Sequence, residues 1–98
     1  MLTHIVIWKY KPDVSEEQRR EHVARLRSLP AIIPEVQSFD VGFDVLKLPR
    51  SYHTGLVSTF KDRAALEAYT VHPAHVAVVD FGRTISEHVA SVDFEDEQ

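Results

Sequence analysis

From Leu2 to Lys9 the chain is apolar on both of its alternating faces: one carries Leu2, His4, Val6 and Trp8, the other Thr3, Ile5 and Ile7. Its β-branched and aromatic residues predict a strand. A strand with one wet side alternates apolar with polar, so this pattern predicts a β-layer covered on both sides. Lys11-Pro12-Asp13 reads as a turn. Ser15-Glu16-Glu17-Gln18 then has the form of a capping box, with an acidic pair suited to the positive end of a helix dipole. The helix it opens is predicted to run to about Leu29. Val23, Leu26 and Leu29 lie inside, Arg19, Arg20, Arg25 and Arg27 lie mostly outside, and Pro30 and Pro34 punctuate the end.

A second strand is expected over Val36 to Phe43, a loop over Asp44 to Ser51, and a third strand from Tyr52 to about Lys61. Asp62 is placed to cap a short helix from Arg63 to about Val71. Pro73 fits the first turn of another, which carries Val76, Val79, Phe81 and Ile85. His88 to Phe94 closes the chain as a fourth strand, followed by an acidic tail of about 95–98. The order βαββαβ, with the second helical unit split in two, is that of a ferredoxin-like α+β fold: helices on one face of a four-stranded antiparallel sheet. The opposite face, with Ile5 and Ile7, would then be an exposed apolar patch in a monomer. Such patches are rarely left bare, so a homodimer packed sheet on sheet is expected; the plainer alternative is that a loop or tail covers these residues.

Composition narrows the function classes. At 98 residues the chain is one domain. The formal charge of −4 argues against nucleic acid as a partner. No apolar run is long enough to span a membrane, and Met1-Leu2-Thr3-His4 does not look like a leader. The absence of cysteine excludes disulfides, thiolate metal sites and cysteine nucleophiles, and fits a cytoplasmic address. Gly42, Gly55 and Gly82 are isolated, so no phosphate-cradling loop is present.

Six histidines are the remaining chemical signal. His4 lies on the strand face shared with Val6 and Trp8. His75 falls in the first turn of the helix opened by Pro73, where both dipole and burial disfavour the imidazolium and leave a neutral general base. Tyr69 is placed to add a phenol O–H that polarises a carbonyl. The three make a cofactor-free set for proton abstraction beside a carbonyl, with Val6, Trp8, Leu26 and His72 as candidate binding residues. Each residue also has a structural alternative: His4 as a hydrogen-bonded core histidine, His72 as a cap before Pro73, Tyr69 as core. His72 and His75 have i, i+3 spacing, but Pro73 disturbs their alignment and no carboxylate is near in sequence, so no metal is expected. His22, beside Arg19 and Arg20, reads as surface; His53 and His88 fall at strand starts.

The blocks His4-Ile5-Val6-Ile7-Trp8-Lys9-Tyr10-Lys11, Pro34 to Gly42, Gly55 to Phe60 and Tyr69-Thr70-Val71-His72-Pro73-Ala74-His75-Val76 resemble the stress-responsive A/B barrel domain family over nearly the whole chain. That resemblance implies a dimeric α/β barrel. A plant polyketide cyclase branch of the family performs aldol cyclisation without a cofactor, which would make His75 the base, His4 its assistant and Tyr69 the substrate-orienting tyrosine. The expected ligand is a small apolar or aromatic carbonyl compound. Two other readings stay open: a non-catalytic stress or ligand-binding dimer, and a haem-associated monooxygenase suggested by related barrels.

Overall fold

The computed structural model describes residues 1–96. The two-sided apolar strand, β1 (Leu2–Tyr10), lies inside the sheet, hydrogen-bonded on both edges. The elements that follow are α1 (Glu16–Arg27), α2 (Leu29–Ile32), β2 (Ser38–Phe43), β3 (Thr54–Phe60), α3 (Arg63–Val71), α4 (Pro73–Ile85) and β4 (Ser86–Glu95). The sheet order is β2-β3-β1-β4, with every neighbouring pair antiparallel. This is the expected ferredoxin-like α+β arrangement.

Local chemistry sets the element ends. Ser15 accepts from the Gln18 backbone N–H, and the Gln18 side chain accepts from the Ser15 N–H, closing the predicted capping box. The first helix stops at Arg27 rather than Leu29. A separate turn, α2, follows, with Pro30 near its start, where a missing N–H costs little. Asp62 caps α3 through the Ala65 N–H. The expected strand edges shift: β2 and β3 begin at Ser38 and Thr54, two residues later than read, and β4 extends to Ser86–Glu95. Glu95 therefore belongs to β4 and not to a tail, and the Asp96 N–H donates to the Met1 carbonyl. The rest of the predicted tail, 97–98, lies outside the described residues.

The register sorts the side chains. His4 stands directly between Ser58 on β3 and Asp93 on β4, and Ile5 between Val57 and Val92. Even-numbered β1 residues face the helices. There Leu2, Trp8, Tyr10 and Phe60 pack against Leu26, Leu29, Tyr69 and Ile85. Ile5, Ile7, Val57 and Val92 form the other face, with no helix over them; Val92 is 53% exposed and Phe94 47%. Among the described residues no helix is long and apolar enough to cross a membrane.

Candidate functional site

The corner between α3 and α4 is built by one proline. A residue preceding proline is pushed out of the helical region. His72, with φ −61° and ψ 132°, ends α3 and starts α4 at once. Its Nδ1 accepts the Ala74 N–H, so the ring serves as the cap of α4. His72, expected among the binding residues, does not line the cavity described below.

The last turn of α3 has carbonyls without helical partners. One of them, on Thr70, accepts a hydrogen bond from His75 Nδ1 at 2.9 Å. A carbonyl only accepts, so the His75 proton sits on Nδ1 and Nε2 carries the free lone pair. Burial pushes the His75 pKa below its ordinary value; the Thr70 bond opposes this, and the neighbouring His4 and His72 add to the lowering. Tyr69 is buried against the same corner, its ring 4.3 Å from that of His75 and 6.3 Å from that of His4. Burial alone pushes its hydroxyl up to about 12, so it stays a proton-bearing donor.

These side chains border a cavity of about 350 Å³ between the helices and the sheet. His4, Val6, Trp8, Leu26, Tyr69 and His75 all line it, so the structure brings six of the seven sequence-selected residues to one wall system. Leu56 and Val78 add apolar surface, and Arg83 of α4 with Val89 and Ser91 of β4 also line it. Val89 and Ser91 are exposed, so the cavity opens on that side.

Two residues of the site escaped the sequence reading. Asp93 faces His4 across the β1–β4 ladder, and its carboxylate accepts from His4 Nδ1. This bond orients the ring and leaves Nε2 as the second nitrogen. Nothing local announces a pair 89 residues apart. His22, expected at the surface, is 1% exposed and lines the cavity. The correction has a simple geometric cause: His22 is four residues before Leu26 and shares its buried face of α1. That spacing was the available signal, and the flanking arginines masked it. Burial drives the His22 pKa down to about 4. His53 and His88 also gain partners: His53 Nδ1 accepts the Tyr10 N–H, and His88 Nδ1 bonds the Tyr52 hydroxyl at 2.6 Å.

A second hollow, of about 510 Å³, lies between the start of α1 and the β2–β3 loop. Arg19, Arg20, Lys47, Asp44 and His53 are among its walls. Among the described residues no three potential metal-ligand side chains cluster.

Comparison with known families decides the kinship. The family model for the stress responsive A/B barrel domain matches residues 2–96. The chain belongs to this family. Among its relatives, the olivetolic acid cyclase of Cannabis sativa is 30% identical over 93 residues, covering 93% of this chain and 92% of the relative. A dimeric ferredoxin-like protein of unknown function from Thermobifida fusca superposes with a TM-score of 0.87 at 25% identity, covering 95% of this chain and 88% of its own. The hydroxynitrile lyase of Passiflora edulis has the same TM-score of 0.87 over 99% of this chain and 94% of its own; at 20% identity this likeness speaks for the fold alone. Membership of the stress responsive A/B barrel domain family thus agrees with the sheet order and helix placement.

Proposed function

We propose that this A/B barrel chain is a cofactor-independent enzyme acting on a small apolar or aromatic carbonyl compound. His75 Nε2 takes a proton from the carbon beside the carbonyl. The C–H electron pair becomes the C=C bond of an enolate, and Tyr69 donates a hydrogen bond to the negative oxygen. The enolate carbon then attacks a second carbonyl, whose π pair moves to its oxygen and takes the proton back from His75 as in an aldol closure, or the carbon itself regains that proton. His4, held by Asp93, lies beside His75 as its partner. The observation that carries this reading is the Thr70 carbonyl on His75 Nδ1, which leaves the basic nitrogen on an apolar cavity wall. Kinship with a plant cyclase supports it.

The test is α-proton exchange of acetophenone in deuterium oxide, followed by proton NMR. The wild-type chain is expected to accelerate exchange, and His75→Ala to lose about 10²–10⁴ of that acceleration. Equal rates in the two proteins would refute His75 as base. Wild-type exchange no faster than buffer, with a ligand still bound, would favour the non-catalytic reading.

The working unit is inferred to be a homodimer that buries the Ile5, Ile7, Val57 and Val92 face. The dimeric description of the Thermobifida fusca relative and the apolar character of that face support this. Val92→Glu is expected to shift sedimentation to a monomer.

A further inference from the structure

The cavity contains a third imidazole, His22, which the proposed reaction does not use. His22 Nδ1 is 2.8 Å from the Tyr10 hydroxyl, which is 2.8 Å from Thr54 Oγ1, and all three residues are at most 2% exposed. Two hydroxyl protons and one imidazole proton must be placed in this row. If Nδ1 carried the proton, it would donate to Tyr10, Tyr10 to Thr54, and the buried Thr54 proton would find no acceptor among the described residues. In the opposite direction Thr54 donates to Tyr10 and Tyr10 donates to Nδ1, and the one donor left over is Nε2–H of His22, a ring that lines the cavity, whereas Thr54 does not. A donor at a cavity wall can be met by water or a ligand and one in packed protein cannot, which selects the second arrangement. The His22 proton is then on Nε2.

That nitrogen has no hydrogen-bond partner among the described residues, although the ring lines the cavity. The surrounding rings, Trp8 at 5.0 Å and Phe81 at 6.3 Å, offer it no acceptor. Gly82 keeps its edge open: a Cβ there would sit 3.1 Å from Nε2. We propose that His22 and His75 hold opposite tautomers, and that His22 presents Nε2–H to an oxygen acceptor at the end of the ligand remote from its reacting carbonyl. This rests on the reading that the cavity receives a carbonyl compound. It narrows the substrate class to carbonyl compounds bearing a second oxygen (ether, hydroxyl or carbonyl) across an apolar spacer. The depressed pKa keeps the ring neutral, with a single proton, at ordinary pH.

Two measurements test it. Long-range proton–nitrogen NMR of the labelled protein at pH 7 is expected to find His22 as the Nε2–H form and His75 as the Nδ1–H form; an Nδ1–H His22 overturns the proposal. Calorimetry then compares 4-methoxyacetophenone with 4-ethylacetophenone, which differ by an oxygen in place of a methylene. The wild type is expected to prefer the methoxy compound about tenfold, and His22→Phe to lose that preference. Gly82→Ala, which crowds Nε2 without removing the imidazole, is expected to reduce it and serves if His22→Phe does not fold. No preference in the wild type, whether both probes bind alike or neither binds, overturns the proposal, as does a preference that survives His22→Phe. Catalysis is scored separately: a methoxy preference without α-proton exchange would refute the enzyme reading and leave the His22 anchor standing.

Discussion

Two hollows border α1, and they differ in what holds their polar groups. The outer one, beside the start of the helix, is the larger, about 510 Å³ against about 350 Å³. Its polar wall is made largely of long side chains: Arg20 reaches back to Glu16 at 3.2 Å, with both side chains more than half exposed, Arg19 stands beside it on α1, and Lys47 extends from the β2–β3 loop. Water screens such charges, and their rotamers are cheap to change. In the inner cavity the three imidazoles are each tied down: His75 by the Thr70 carbonyl, His4 by Asp93, His22 by Tyr10. Most of the remaining wall is apolar, with Arg83 and Ser91 among its exposed residues. Volume is therefore the weaker guide to chemistry; a few oriented groups on a largely apolar wall polarise a ligand more effectively than many mobile charges in water.

That contrast is breakable by measurement. On a common free-energy scale the largest effect is expected from His75→Ala, which should cost about 10²–10⁴ in α-proton exchange, while His53→Ala in the outer hollow stays within about twofold of wild type. Similar losses from both would erase the distinction. Next comes acid stability. His22 takes up a proton near pH 6.5 when unfolded but only near 4 when folded. Its folded-state pKa is depressed, so its stabilisation is complete above about 6.5 and is lost as pH falls towards 4, a decrease of up to roughly 3 kcal/mol. His75 acts in the same direction. Denaturant titrations across that range are expected to show the fall, and a shallower one in His22→Phe.

Tyr69→Phe removes the hydroxyl proposed to bond the enolate oxygen and should slow exchange about 100-fold with the fold intact, measured in the same NMR assay. Asp93→Asn keeps the shape but removes the carboxylate that holds His4. With Asp93 39% exposed, solvent screening limits the expected loss to about fivefold. The smallest effect is predicted for Arg20→Ala in the outer hollow, within about 0.5 kcal/mol by thermal unfolding. A larger change there would mean that the outer charges are organised after all.

Much of the fold was legible. The doubly apolar β1, the Ser15 capping box and Pro73 are local signals, and each predicts an element seen in the structure. So was the nearness of His4, Tyr69 and His75, because strand alternation and a proline corner constrain where those side chains point. The misses share a cause. His22 sits in a helix crowded with arginine and glutamate, so its burial depends on which face of α1 meets the sheet, not on its neighbours in sequence. Asp93 meets His4 only through the pairing of β1 with β4. The break at Ser28 reflects packing of Leu29 and Ile33, both essentially fully buried, which a straight continuation of α1 does not supply.

By itself the amino-acid order determined the kinds and succession of elements, and that one strand is apolar on both its sides, because periodicity and capping act over a few residues. Only the folded arrangement decided which polar groups face each other: the Asp93–His4 pair, the Thr70 carbonyl that sets the His75 tautomer, and the Thr54–Tyr10–His22 row. Hydrogen bonds are short and directional, so they depend on register and helix rotation, which arise only when distant segments are packed together.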